Sequence, residues 1–350
     1  MMPSLVFATR RRAVPRVRWG WALTFVMAAA LACSCGKTAR SVVVYTSVDQ
    51  VYAEPVLREF GRLTGVRVLP VYDVEAVKTT GLVNRLMAEK DRPIADVFWS
   101  GEFAQTLLLK ERGVLAPYLS PEARGRAPEW TDPSGYWTCF GGRARVLLLN
   151  TRLAGDRQPP LEMLRLADGH LPPNQIAVAN PLFGTSFTQA AALYATLGPA
   201  QAREFYAKLL ARGVRVAEGN AEVRAMVESG QVLLGLIDFD DACASIRSGA
   251  PVKALLPDQM GAGALVIPNS VALLAGAPHP QEGKALIDYL LSGPVERRLT
   301  DAGWVQVSAR GPVSSDCLTA GPVKAPNVSP AAVYAQMQQA RQDLGDLFLK

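Results

Sequence analysis

The chain has 350 residues, 49% of them hydrophobic and 19% charged, which is enough to core two ordinary domains and too apolar for a long disordered tail or a coiled-coil rod. Its formal net charge is +6, but residues 1–32 contain Arg10, Arg11, Arg12, Arg16 and Arg18 and no acid. Taking those five from the 37 basic residues leaves 32 against 31 acidic ones, so the basicity belongs to the leader and no nucleic-acid partner is expected.

The basic stretch Thr9–Arg18 runs into an apolar one, Trp19–Ala32, that ends in Ala-Leu-Ala-Cys-Ser-Cys. A charged start, a short apolar run and small residues before a cut site read as a secretory signal. The run is shorter than the ~20 apolar residues of a spanning helix. Ala32-Cys33 resembles a lipobox, which implies diacylglyceryl attachment at Cys33, with Cys35 as the second candidate. Residues 1–32 are therefore read as a lipoprotein signal peptide and 33–40 as a tether. The cysteines at 33, 35, 139, 243 and 317 include no Cys-x-x-Cys pair, so no zinc framework is expected. A disulfide among Cys139, Cys243 and Cys317, or unpaired buried thiols, both remain open.

Ser41–Thr46 is a β-branched run suited to a strand buried on both faces. Apolar residues at helical spacing over Asp49–Thr64 then end at Gly65. Strands are expected at Val66–Tyr72, Ala95–Trp99, Arg145–Asn150, Ile176–Ala179, Val214–Val216, Val232–Ile237, Ala264–Ile267 and Ser270–Leu274. Helices are expected at Gly81–Glu89, Glu102–Arg112, Thr185–Leu197, Glu204–Ala211, Ala221–Ser229, Gln281–Leu291, Val295–Ala302 and Pro330–Leu347. Pro117–Gly142, rich in Pro, Gly and aromatics, reads as a connection. Strand and helix alternate at βαβ spacing in two blocks, so the class is α/β with two lobes.

Hydroxyls recur where strands give way to helices: Thr46-Ser47, Thr79-Thr80 after Lys78, Ser100, and Thr185-Ser186 after Gly184. In open α/β sheets ligands bind beyond the carboxyl ends of strands. Helix N-termini supply free N–H groups and positive dipole ends, so these positions make an anion cradle. Asp49, Glu102 and the run Asp238-Phe-Asp-Asp241 add carboxylates that suit a hard cation or an ammonium group.

Val43–Gln50, Tyr72–Arg85, Ala95–Ser100 and Ala179–Thr185, in that order, resemble bacterial extracellular solute-binding proteins. The nearest group is the ferric-iron-binding branch, which includes aminophosphonate-binding relatives. The resemblance covers about Ser41 to Leu299. It implies a two-lobed periplasmic-binding-protein-like fold with hinge-connected α/β sheets, lobe 1 being 41–142 with 262–310, lobe 2 being 143–261, and 311–350 a C-terminal helical segment. It further implies a non-catalytic monomer, periplasmic or otherwise extracytoplasmic, held to the membrane by a lipid anchor and serving the permease and ATPase subunits of an ABC importer. Iron binders of this group use a pair of adjacent tyrosines. Here that stretch reads Leu236-Ile-Asp-Phe-Asp-Asp-Ala242, so the pair is lacking, and ferric iron with an anion stands beside a small anion or zwitterion such as an aminophosphonate. Asp240 and Asp241 are the candidate metal ligands if a cation binds.

Two other functions compete. A sensing lobe would use the same trap without transport. A Ser-dependent exported hydrolase needs a histidine base, but His170 and His279, the two histidines, both fall in loops, and no Gly-x-Ser-x-Gly elbow accompanies them.

Overall fold

The β-branched runs of the sequence become buried strands, and amphipathic stretches between them become the helices that cover the sheet. The computed structural model describes residues 40–73, 79–310, 316–317 and 323–349. The leader, Cys33, Cys35 and Lys78 lie outside the described residues. In chain order the elements are β1 (Ser41–Thr46), α1 (Gln50–Thr64), β2 (Arg67–Tyr72), α2 (Thr80–Ala88), β3 (Val97–Ser100), α3 (Ala104–Glu111), β4 (Leu115–Ala116), β5 (Thr138–Asn150), α4 (Thr151–Ala154) and β6 (Ile176–Ala179). There follow α5 (Gly184–Leu197), α6 (Pro199–Ala211), β7 (Arg215–Ala217), α7 (Asn220–Glu228), β8 (Leu234–Asp238), α8 (Phe239–Arg247), β9 (Val252–Leu255), β10 (Val266–Leu274), α9 (Pro280–Leu290), α10 (Gly293–Asp301) and α11 (Pro330–Phe348).

The strands run in the order β2-β1-β3-β10-β5-β8-β6-β7, with β4 on β10 and β9 on β5. β1 is parallel to β2 and β3, and β6 is parallel to β7 and β8. β10 and β5 are antiparallel to their neighbours and cross between these two parallel groups. β5 is the joint. Its residues up to Ala144 pair with β10, and from Arg145 onward it pairs with β8 and β9. The architecture is two-lobed and α/β, with hinge strands between the sheets, as the sequence predicts.

β5 corrects one expectation. The supposed connection ends not at Gly142 but before Thr138, and all thirteen residues of β5 are buried. Gly141 and Gly142 look like loop punctuation, yet they serve a close approach. Gly141 has φ 57°, and a Cβ there would stand 2.6 Å from Val305. Opposite, the register shifts between Pro268 and Asn269, so the two expected strands around Pro268 are one strand with a bulge. The Asn269 side chain holds that bulge: its Nδ2 donates to Gly141 O at 2.8 Å and its Oδ1 accepts from Trp99 Nε1 at 3.0 Å. β9, a short strand, is not foreseen at all.

One core packs β1, β3, α1, α9 and α10 around Trp99, Phe60 and Trp304. A second packs β5 and β8 against α7 and α8 through Val146, Val223 and Phe239. The largest includes Phe187 of α5, Tyr206 of α6 and the Val333, Met337, Ala340 and Leu344 face of α11. α11 thereby packs on α5 and α6 and also touches α3.

Cys243 of α8 is bonded to Cys317, while Cys139 is a buried free thiol. A chain carrying Ser at 33 and 35, titrated under denaturing conditions, should show one thiol without reductant and three after reduction. Reduction should also cost about 2–5 kcal/mol of unfolding free energy, read from urea melts with and without reductant.

Candidate functional site

Arg143 and Arg145 stand two apart on β5, so both project from one face of the strand. The ladder sets Arg145 directly opposite Asp238 at the end of β8. Register alone thus places opposite charges side by side. Arg145 Nη1 donates to Asp238 Oδ1 at 2.8 Å and its Nε to Gln189 Oε1 at 2.6 Å. Arg143 Nη1 lies 3.2 Å from Asp240 Oδ2 and 3.4 Å from Asp238 Oδ2, and its Nη2 donates to Gly101 O at 2.5 Å. Asp238 Oδ2 also accepts from Thr185 Oγ1 at 2.6 Å and Asn220 Nδ2 at 3.0 Å. All four charged groups are more than nine-tenths buried.

Burial alone would raise the Asp238 carboxyl, but Arg145 and Arg143 outweigh it and hold the group below the usual carboxylate range. Burial likewise works against the Arg143 guanidinium, and Asp240, Asp238 and Asp49 reverse this. Removing one partner of such a network leaves a buried charge uncompensated, at a cost of about 3–5 kcal/mol.

In front of this network opens a cleft of about 470 Å³, its mouth included. Among the described residues six helices point their N-termini at it: α1 through Asp49, α2 through Thr79, α3 through Gly101 and Glu102, α5 through Gly184 to Ser186, α7 through Gly219 and Asn220, and α8 through Asp238 and Asp241. None of the six N-cap residues accepts a side-chain bond from its own helix. At α3 Glu102 takes over, accepting from Ala104 N at 2.6 Å and Gln105 N at 3.1 Å. Arg143 lines the cleft too, and its buried Nε has no hydrogen-bond partner. Thr79 has φ 66° and its N–H is bonded to Asp73 Oδ2. That left-handed backbone is uncommon for a β-branched residue.

Of the twelve site residues expected from sequence, Ser47, Asp49, Thr79, Glu102, Thr185, Ser186, Asp238 and Asp241 line the cleft. The other four stand outside its lining. The buried Thr46 Oγ1 accepts from Val48 N, and the buried Ser100 Oγ from Glu102 N. Thr80 opens α2, and Asp240 is buried against Arg143. Asp240, one of the two candidate metal ligands, is bonded to the arginine. Asp241 lies 3.4 Å from Arg224 Nη1. Phe183 lines the cleft, whereas Trp137 is buried in the core.

Sequence reasoning missed Arg143, Arg145, Asn180, Glu218 and Asn220. Two arginines at alternate positions of an otherwise apolar run were the available signal, because a buried cation demands a buried acid. His279, in a loop as expected, is half-buried: its Nδ1 lies 3.1 Å from Asp96 Oδ2 and its Nε2 3.3 Å from Ser41 Oγ.

Thr188 Oγ1 of α5 donates to Glu102 Oε2 at 2.7 Å. Burial pushes the Glu102 carboxyl up to about 6, against the bonds from Thr188, Gln105 and Ala104 and the charge of Arg143. An unfolded Glu titrates near ~4.3, so between these values the folded chain binds more protons and stability rises as pH falls. Asp238 has the opposite sign: its stabilisation is present above ~3.9 and is lost as pH falls through its lower folded value. From pH 7 to 4.5 the wild type should gain on the order of 1–2 kcal/mol relative to Glu102→Gln. Asp238→Asn should lose about 3–5 kcal/mol at pH 7. Urea melts across that pH range check both.

The sequence profile of the family described as bacterial extracellular solute-binding protein matches residues 92–320. A putative 2-aminoethylphosphonate-binding periplasmic protein of Salmonella typhimurium is 29% identical over 102 residues, 29% of this chain and 30% of that protein. Iron-bound HitA from Pseudomonas aeruginosa superposes with a TM-score of 0.77 at 21% identity, covering 87% of this chain and 99% of HitA. AfuA from Actinobacillus pleuropneumoniae, with fructose-6-phosphate bound, gives 0.77 at 18% identity over 88% and 98%. On the match over residues 92–320, the chain belongs to the bacterial extracellular solute-binding protein family.

Proposed function

We propose that this protein is the binding component of an ABC-type importer and that its cargo is a small solute headed by a phosphonyl or phosphoryl group and carrying an ammonium. The observation that carries this reading is the convergence of six helix N-termini on one cleft lined by Arg143. Backbone N–H groups at helix starts are suited to a compact oxyanion. The Gly184–Ser186 and Gly219-Asn220 starts form its anion side. Asp49, Glu218 and Asp241, which also line the cleft, form the side for an ammonium. The printed description of the Salmonella relative and the phosphate ester in AfuA point the same way.

In this reading lobe 1 is 41–142 with 262–310 and lobe 2 is 143–261, and both contribute to the cleft. The 311–350 segment returns to them through α11. Cys33 carries the lipid anchor, and the permease and ATPase receive a monomeric donor outside the cytoplasm. No helix of the described residues is long and apolar enough to cross a membrane.

Ferric iron is the second reading, favoured by the fold shared with HitA. Against it stands the donor chemistry. Among the described residues no tyrosine, histidine or cysteine lines the cleft, and Asp238 and Asp240 are engaged by arginines. Catalysis by Ser41, His279 and Asp96 is disfavoured by their place. Ser41 opens β1, whereas Ser47, just past its far end, lines the cleft, roughly 20 Å away by strand rise. The Asp96 carboxylate also accepts Val43 N at 2.7 Å and His279 N at 2.5 Å, so it ties β1 to the start of α9.

Thermal-shift screening of the exported chain should show a rise in Tm with 2-aminoethylphosphonate, a smaller one with ethylphosphonate, and none with Fe(III)-citrate. At ~100 times its dissociation constant a ligand adds about 2.7 kcal/mol. A rise with iron alone would overturn the phosphonyl reading. Ser186→Ala should weaken binding by roughly tenfold (~1.4 kcal/mol), measured by calorimetry. A fluorophosphonate probe should leave Ser41 unlabelled, as mass spectrometry of the peptides would show.

A further inference from the structure

α5 has two working faces. Thr185 and Ser186 meet the cleft, and from one turn further on Gln189, Leu193, Thr196 and Leu197 line a separate cavity of about 780 Å³, its mouth included. Its walls are mainly apolar, with Leu265 and Pro257 completing them, and its polar groups are Arg145, Gln189, Thr196 and Asp258. That is the composition of a small-molecule pocket, apolar walls with few polar groups. A smaller recess shares Arg145 and Gln189 with it and Ser186 with the cleft.

Gln189 decides what such a pocket would hold. Its side-chain oxygen accepts from Arg145 Nε at 2.6 Å. Turning the amide over would set N–H against N–H, so the orientation is fixed. Its Nε2 therefore points the other way, where the acceptor it meets is the thioether sulfur of Met163. A thioether is a weak acceptor, and Gln189 is only 3% exposed. A buried amide donor met by sulfur is one that an oxygen would satisfy better.

The charges around it exclude an anion. Arg145 is already neutralised by Asp238 at 2.8 Å. Burial raises the Asp258 carboxyl, which accepts from Met163 N at 3.3 Å. A further negative charge would be buried without a counter-ion. Thr196 gives its hydroxyl hydrogen to Ala192 O at 2.9 Å.

We propose that this cavity is a second binding site, for an uncharged, mainly aliphatic molecule whose carbonyl oxygen takes the Gln189 Nε2 hydrogen in place of the Met163 sulfur. The site is distinct from the cleft and does not depend on the identity of the cargo. The test is a titration of the methyl-labelled exported chain, followed by NMR, with 2-hexanone, hexanoate and n-pentane. The ketone should give saturable shifts at the Leu193, Leu197 and Leu265 methyls, at least tenfold tighter than either comparison compound. Leu193→Trp, which fills the cavity, should weaken the ketone at least tenfold. Thr196→Phe, at an exposed position, is the second filler should the first fail to fold. Absence of saturable shifts, hexanoate or pentane binding as tightly as the ketone, or unchanged affinity in both fillers would overturn the proposal.

Discussion

Two guanidinium groups and two carboxylates buried where β5 changes partners are the constraint on which the rest of this structure rests. Their desolvation is expensive, and well-packed hydrophobic side chains at the same positions are often no less stable. What the ions add here is position. Arg143 joins the carbonyl before α3 to the first turn of α8, and Arg145 joins β8 to Gln189 of α5. Three helix starts from different parts of the chain are thereby held at fixed spacing around one cleft. The bulge at Asn269 and the close approach of Gly141 to Val305 let β10 and β5 bring them there.

The electrostatics of the cleft follow from this arrangement. Helix N-termini carry partial positive charge, and acidic side chains placed there are partly spent in balancing it. Asp238 and Asp240 are balanced again by arginines. A count of carboxylates in the sequence therefore overstates how acidic the cleft is towards a ligand. The same count leads to Asp240 as a contact, whereas the geometry makes it a support for Arg143.

The α/β class was legible because strands covered on both faces show as continuous β-branched runs, as at Ser41–Thr46 and Ile176–Ala179, and helices between them keep a 3.6-residue period. The hydroxyls before helices were legible too, and eight of the twelve expected site residues line the cleft. The rest failed for a physical reason. Strand β5 begins with Thr138-Cys-Phe-Gly-Gly, where paired glycines imitate a turn while serving a close approach, so its first half was hidden. With it went the partner register that pairs Arg145 with Asp238, which no local pattern encodes. Asn220 and Glu218 enter through the loop and start of α7, whose apolar period begins after them. The Cys243–Cys317 bond joins positions 74 residues apart and was one of several pairings the spacing allowed.

The point at which β5 passes from β10 to β8 also fixes where a hinge must bend. A rotation about a point displaces each atom in proportion to its distance from that point. Arg143 and Arg145 flank the passage, so they are carried through almost no arc, while Ser47 and Glu218, lying on separate elements at the cleft wall, have the longer lever arms. Opening would leave Arg143 near the pivot but break one of its bonds, to Gly101 O or to Asp240, so closing re-forms that bridge as it brings the outlying amides and hydroxyls up to the solute.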